Sequence, residues 1–283
     1  MTVYPLVIRL GPLTITGYGI MMMAAFLMGG WVIQRELYRR RLSEDYAADI
    51  VVAAVIGGIV GGKIWYALLY HDLGALFSRG GLVWYGGFIG GVLAVLGNGW
   101  RRRVPVRFTM EIGTPALAVG YAIGRVGCFL VQDDYGVATS VPWAMRFPQG
   151  WPPSTAENLA AAGVKLPPEI APTEVLAVHP TQLYETAAML LAFWLLWRLR
   201  KHQHAMGWLF GVYLALAGLE RFLVEFFRAK DDRFFGPFTL AQTVSVALIV
   251  VGVTLLKRWW QPGQFSLPRE TVVLRRQETG ATK

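Results

Sequence analysis

Seven apolar runs of about 20 residues divide the chain: Thr14–Ile33, Ala47–Tyr70, Leu82–Trp100, Glu111–Val131, Thr181–Trp197, Gly207–Phe227 and Phe238–Leu256. A helix of about 20 apolar residues crosses the hydrocarbon core of a bilayer, and backbone in lipid must satisfy its own hydrogen bonds. The pattern therefore predicts an all-α polytopic membrane protein with seven transmembrane helices. These form one integral-membrane domain over residues 1–260. The longest stretch outside the runs, 132–178, holds Pro142, Pro148, Pro152, Pro153, Pro167, Pro168 and Pro172. So many prolines exclude a single regular helix, but a short one is expected over Thr155–Ala162. A loop this long is often a functional lid, and a plain connector remains the alternative. Residues 261–283 are polar and basic, and a short tail is expected there.

Charge distribution adds an orientation. Hydrophobic residues make up 54% of the chain and charged residues 16%, with a net charge of +9. The surplus is not spread evenly. Arg35, Arg39, Arg40 and Arg41 follow the first run, and Arg101, Arg102, Arg103 and Arg107 follow the third. Arg198, Arg200 and Lys201 follow the fifth, and Lys257 and Arg258 the seventh. Basic clusters after every odd run match the positive-inside rule, with the N-terminus periplasmic and the C-terminus cytoplasmic. Loop 132–178 is then periplasmic. Arg228, Lys230 and Arg233 after the sixth run are the exception. This distribution speaks for a membrane and against nucleic acid. The first run is preceded only by Arg9 and lacks a small-residue cleavage site, so it is expected to stay as a span. Cys128 is the only cysteine, which excludes an intramolecular disulfide. His202 and His204 lie in a basic loop without a nearby carboxylate, so no metal site is expected.

Against this apolar background the polar residues inside the runs carry the chemistry. Arg125 interrupts the fourth run just before Gln132-Asp133-Asp134-Tyr135-Gly136. A charge at a membrane helix centre costs about 2.5–3.5 kcal/mol on insertion scales, so it calls for a partner or a task. Lys63 lies mid-run in the second span, and His179-Pro180-Thr181-Gln182 opens the fifth, with Tyr184 and Glu185 following. In the sixth, Arg221, Glu225 and Arg228 have the spacing of one helical face, while Glu220 is rotated away. A salt-bridge stripe holding the bundle together is one reading. Two arginines around one glutamate, with Arg125 and Lys63 added, also leave a cationic excess, whose natural partner in a bilayer is a lipid phosphate. His179 either caps its helix or meets a substrate. Gly57, Gly58, Gly61 and Gly62 read as helix-packing positions. Gly86 and Gly87, directly after Tyr85, serve either the same packing or ligand room beside the tyrosine.

Four ordered segments resemble the prolipoprotein diacylglyceryl transferases of the bacterial inner membrane. Gly124-Arg125-Val126-Gly127-Cys128-Phe129, leading to Asp133 and Gly136, is similar to that family's Gly-Arg-x-Gly-Asn/Cys-Phe signature. Gly62-Lys63-Ile64-Trp65-Tyr66 resembles a segment that usually has Arg where Lys63 stands. His179-Pro180-Thr181-Gln182-Leu183-Tyr184-Glu185 and Arg221-x-x-x-Glu225-x-x-Arg228 resemble two more, and Tyr18 matches a first-span tyrosine. The resemblance covers nearly the whole chain. It departs at Tyr85, which replaces the histidine of a His-Gly-Gly motif. A tyrosine, with an ordinary pKa of about 10, is a poor base at neutral pH. Ala217 also stands where some members have a tyrosine.

The resemblance implies transfer of diacylglyceryl from phosphatidylglycerol to the lipobox cysteine of prolipoprotein signal peptides, releasing glycerol phosphate and needing no cofactor. It casts Arg125 and Arg221 as the groups that stabilise the departing phosphate, with Glu225 orienting Arg221. Asp133 orients Arg125 or accepts a proton. Tyr18, Tyr85 and His179 are expected to hydrogen-bond headgroup or thiol, and Lys63, Gly86, Gly87, Gly136 and Arg228 to line the substrate site among membrane lipids. The competing reading is a transporter for an anionic solute. No internal repeat or pair of matched broken helices supports it.

Overall fold

The structure is a computed structural model that describes residues 1–11, 13–77, 81–230, 233–235, 238–263, 267 and 271. Among these residues lie eight α-helices. They are α1 (Gly17–Arg39), α2 (Asp45–Tyr70), α3 (Trp84–Arg101), α4 (Val106–Val131), α5 (Ala156–Ala161), α6 (Thr181–Leu199), α7 (Trp208–Val224) and α8 (Leu240–Arg258). Two antiparallel hairpins join them: β1 (Val7–Leu10) with β2 (Leu13–Thr16), and β3 (Arg233–Phe235) with β4 (Phe238–Thr239). Each apolar run contains one long helix, and α5 falls within the segment expected to be helical. By length and composition α1, α2, α4 and α8 can cross a membrane. In α6 the apolar signal is diluted by polar residues such as Gln182 and Glu185, and α7, although apolar, is shorter, with 17 residues. Apolar side chains such as Leu27, Ile56, Leu93, Leu191 and Val250 are exposed, an arrangement suited to lipid rather than water. The chain is thus an all-α membrane protein. Most of the expected tail lies outside the described residues.

Several boundaries differ from the apolar runs. The first helix starts at Gly17, because Thr14–Thr16 belongs to β2 and pairs with β1. It ends at Arg39, which places Arg35 and Arg39 on the helix itself. The sixth run does not stay α-helical: α7 ends at Val224, Glu225–Phe227 forms a 3₁₀ turn, and Arg228 is extended. Helix α8 starts at Leu240 behind a capping box, in which Thr239 and Gln242 satisfy each other's backbone N–H groups.

The chain divides into two compact units. The first comprises Met1–Ala25, Leu117–His204 and Trp208–Gln261. Its apolar core joins Ala118 and Ala122 of α4, Met189, Ala192 and Leu196 of α6, and Trp208 and Leu209 of α7. Segment 132–178 has its own small core of Tyr135, Phe147, Leu159 and Val178. The Tyr135 hydroxyl lies 2.9 and 2.8 Å from the carbonyl oxygens of Pro152 and Pro153. This segment is therefore a packed structure rather than a slack connector.

The second unit comprises Phe26–Ala116, Ala205–Gly207 and Pro262–Lys283. Within it α2 and α3 meet backbone to backbone. A Cβ built on Gly61 would lie 2.3 Å from the Gly86 carbonyl oxygen, and one on Gly90 2.3 Å from that of Gly57. Of the two readings left open for Gly86, close helix packing is the one the geometry displays. The basic ends of α1 and α3 are held by carboxylates, buried Glu36 and half-buried Asp49. Glu36 accepts from Arg39 at 2.9 Å and Arg40 at 2.6 Å, and Asp49 accepts from Arg102 at 2.8 Å.

The α2–α3 contact makes a test of the fold. Gly61→Val places a branched side chain against a carbonyl oxygen and is expected to destabilise the protein by about 1–3 kcal/mol. Thermal unfolding in detergent reads this out. Gly97→Ala, at a position where an added Cβ meets nothing within 4 Å, is the control and should hold or raise the midpoint.

Candidate active site

The site is built in the first unit, where three segments are sewn together by backbone hydrogen bonds. Helix α4 ends at Val131, and Gln132 and Asp134 take left-handed conformations with φ of 63° and 57°. These two residues turn the chain back across the end of the helix; aspartate is among the side chains that tolerate this region. The chain then runs between the start of α6 and the end of α7. Gly136 N–H donates to the His179 carbonyl at 2.8 Å, Val137 N–H to Phe227 at 2.8 Å, and His179 N–H to Val137 at 3.1 Å. Thr181 and Gln182, in the first turn of α6, donate from their side chains to the carbonyls of Asp134 and Asp133. Position 136 has no room for a side chain, since a Cβ there would lie 2.2 Å from the Phe227 oxygen.

This stitching brings three arginines and three carboxylates into one cluster. Glu185 of α6, with 1% of its side chain exposed, is in the middle. One of its oxygens pairs with Arg125 Nε, and the other lies 3.5 Å from Arg221 Nη1 and 3.6 Å from Arg228 Nη1. Asp134 bridges Arg125 Nη1 at 3.0 Å and Arg228 Nη2 at 2.6 Å. Glu225 holds Arg221 Nη2 at 2.8 Å, faces Arg228 Nε at 3.6 Å, and accepts from the Thr239 hydroxyl at 3.0 Å. The three guanidiniums are thus matched by three carboxylates. The cationic excess expected from sequence is not what this cluster holds, because that count left out Glu185 and Asp134. Donor capacity remains: Arg125 Nη2 is buried and has no hydrogen-bond partner among the described residues.

The two neighbouring aspartates take different roles. Asp134, not Asp133, forms the ion pair with Arg125. Burial pushes the Asp134 carboxyl up, but Arg228 and Arg125 outweigh it and hold its pKa at about 2. Asp133 has one buried carboxylate oxygen without a hydrogen-bond partner among the described residues. Burial, then the charge of Asp134, raises its pKa above the ordinary aspartate value. Its carboxylate, that of Asp134 and the Cys128 thiol come within 4.8 Å of one another, and Arg125 Nη1 donates to Cys128 Sγ at 3.3 Å. Two of these three groups also contact the Arg125 guanidinium, which makes the trio a poor cradle for a metal cation.

A second set of contacts surrounds His179. Its Nδ1 lies 3.0 Å from the Tyr184 hydroxyl, which accepts from the indole N–H of Trp143 at 2.7 Å. Burial lowers the His179 pKa, so the imidazole is neutral at neutral pH. Trp143 was not among the residues singled out by sequence, and nothing in its spacing marks it. Tyr18 lies beside the cluster at the start of α1, its ring 3.2 Å from where a Cβ on Gly127 would be. Arg221, Glu225 and Arg228 converge as expected, although Arg228 does so from extended backbone rather than from a shared helical face. That strand-like residue is held by its bridge to Gly136. Glu220 is buried and makes none of the cluster's ion pairs. Lys63, Tyr85, Gly86 and Gly87 belong to the second unit, with Lys63 half-buried on α2 and Tyr85 exposed on α3.

Comparison with known proteins accounts for this constellation. The family model described as prolipoprotein diacylglyceryl transferase matches residues 5–258. The phosphatidylglycerol--prolipoprotein diacylglyceryl transferase of Geobacter sulfurreducens is 32% identical, over 89% of this chain and 93% of that protein. The protein of the same name from Vibrio atlanticus is 29% identical over 94% of this chain and 95% of its own length. The one from Pseudomonas putida is 32% identical over 89% and 92%. With a match that covers the helices and every segment of the ion cluster, the chain belongs to the prolipoprotein diacylglyceryl transferase family.

Proposed function

We propose that this chain transfers the diacylglyceryl group of phosphatidylglycerol to the thiol of a prolipoprotein's lipobox cysteine. It is a transferase, and family membership leaves the anion-transporter alternative without support. The observation that carries the reading at the site is the set of three guanidiniums held by buried carboxylates, with one buried donor of Arg125 unfilled. We place the protein in the bacterial cytoplasmic membrane with seven spans, a periplasmic N-terminus and a cytoplasmic C-terminus. The ion cluster then lies toward the periplasmic face, the side on which loop 132–178 lies.

In this reading the substrate thiolate attacks the glycerol carbon that bears the phosphate ester. A carbon–sulfur bond forms, the carbon–oxygen bond breaks, and glycerol phosphate leaves with the electron pair. Only a few per cent of a free thiol with a pKa near 8.5 is ionised at neutral pH. The proton needs an acceptor, and Asp133, with its raised pKa, is better matched to that task than an ordinary aspartate. Arg125 and Arg221 stabilise the charge that grows on the phosphate, a contribution that is often the largest in catalysis. Glu185 and Glu225 keep their guanidinium planes fixed, as paired hydrogen bonding to phosphate requires. Arg228, Tyr18 and neutral His179 contact the headgroup. Lys63 and Tyr85, on the second unit, are assigned to substrate binding by family resemblance alone, and Gly136 holds the site's three segments together.

Purified protein, phosphatidylglycerol and a lipobox peptide should give a diacylglyceryl mass shift on the peptide, and a Cys→Ser peptide should give none. Arg125→Ala should abolish the shift while the protein still inserts in membranes; near-normal transfer by that variant would overturn the phosphate-site assignment. Glu185→Gln leaves three guanidiniums facing a neutral amide and is expected to cost about 3–5 kcal/mol. Its thermal midpoint should fall well below that of Glu169→Gln, which alters an exposed carboxylate. If Asp133 takes the proton, kcat/KM rises with pH through a pKa above the ordinary aspartate range. Asp133→Asn should remove that acid limb, and an unchanged limb would exclude Asp133 as the acceptor.

A further inference from the structure

Of the cluster's three carboxylates, Asp134 stands apart. Glu185 and Glu225 leave 1% and 2% of their side chains exposed, whereas Asp134 leaves 42%. Glu185 and Glu225 belong to α6 and to the turn closing α7, while Asp134 follows α4 in a turn where it and Gln132 are left-handed. Its two oxygens engage two different guanidiniums, one to Arg125 and one to Arg228. That is how two oxygens of a phosphodiester would be held between two arginine forks. A buried donor without a hydrogen-bond partner among the described residues, Arg125 Nη2, is on one of the same two arginines.

Charge makes the arrangement consequential. With Asp134 in place the three cations are already matched by the three carboxylates in direct ion pairs with them, and an ionised Asp133 beside them adds further negative charge. A phosphodiester monoanion entering a buried, balanced cluster would leave it net negative, which a low-dielectric site resists. The balance is restored if one carboxylate turns out to water, and Asp134 is the one with a route there.

Resting on the phosphatidylglycerol reading above, we propose that Asp134 is a displaceable internal anion. Its carboxylate occupies the Arg125 and Arg228 faces that the lipid phosphate takes, and it turns out to solvent when the lipid binds. Asp134 thereby sets how tightly the site holds a phosphate. Protonation does not release it at working pH, since its pKa is held at about 2 despite burial, so displacement is by competition alone.

The test is a binding titration on the full chain in detergent, without peptide, so that no turnover intervenes. The variants are Asp134→Asn, which keeps the shape and removes the charge, and Asp134→Glu, which keeps the charge. Phosphatidylglycerol is one ligand, and inorganic phosphate, read by its shift of the thermal midpoint, is the other. Asp134→Asn should bind phosphatidylglycerol at least threefold more tightly than wild type and gain a larger midpoint shift from phosphate, while Asp134→Glu should stay within about twofold of wild type. Equal or weaker binding by Asp134→Asn overturns the proposal and makes Asp134 a brace. So does tighter binding by both variants, because charge is then not the cause. If wild type binds no phosphatidylglycerol, yet Asp134→Asn gains the larger response to phosphate, the internal anion stands and the lipid assignment falls. A failure of both ligands in both proteins overturns the inference.

Discussion

The Glu185 carboxylate, buried among three guanidiniums, is the interaction on which the rest of the site depends. Arginine cannot shed its proton to escape burial. Three such charges in an apolar bundle are tolerable only if their countercharges come in with them. Glu185 contacts arginines from α4 and from the end of α7, and so makes one electrostatic unit out of segments far apart in sequence. Such a unit is a poor source of net stability, because desolvation offsets most of the attraction. What it provides is fixed direction: each guanidinium plane is aimed before any substrate arrives.

Backbone geometry delivers the charges to that point. Gly136 lets the chain after α4 pass between the first turn of α6 and the last of α7. The hydrogen bonds on either side of it carry Asp134 and Arg228 to their places. The packed segment 132–178 closes onto the same seam through Val178, whose N–H and carbonyl both pair with Met145. A side chain at position 136 would therefore disturb the ion cluster without touching any charge.

Much of this was legible in the sequence, and the exceptions share a cause. Arg125, Arg221 and Glu225 announced themselves because charge inside an apolar run is expensive and easily seen. Glu185 stood out only as part of the polar start of the fifth run, and its place among arginines of other segments left no trace in local spacing. Asp133 and Asp134 are chemically identical neighbours, and only the left-handed turn decides which one points back at Arg125. Helical spacing placed Arg228 in the cluster, although its backbone is not helical there. The helices were legible from apolar length alone. Their ends were not, because β2, β4 and the 3₁₀ turn use the same apolar residues as the spans they border.

A neutral cluster changes how the proposed chemistry is to be understood. A bare cationic pocket would hold any anion, including the glycerol phosphate it must release. Carboxylates between the arginines lower that affinity while leaving the guanidinium forks aligned. Differential binding then becomes possible. The phosphate gains negative charge as the carbon–oxygen bond breaks, so the fixed arginines favour the transition state over the bound lipid, and that difference accelerates the step. Countercharge is therefore part of the catalytic arrangement rather than a blemish on it. The same logic separates Glu185 and Glu225, buried and held on helical segments, from Asp134, which is partly exposed on a turn. The first two hold their arginines from within the bundle, and the third does so from its edge.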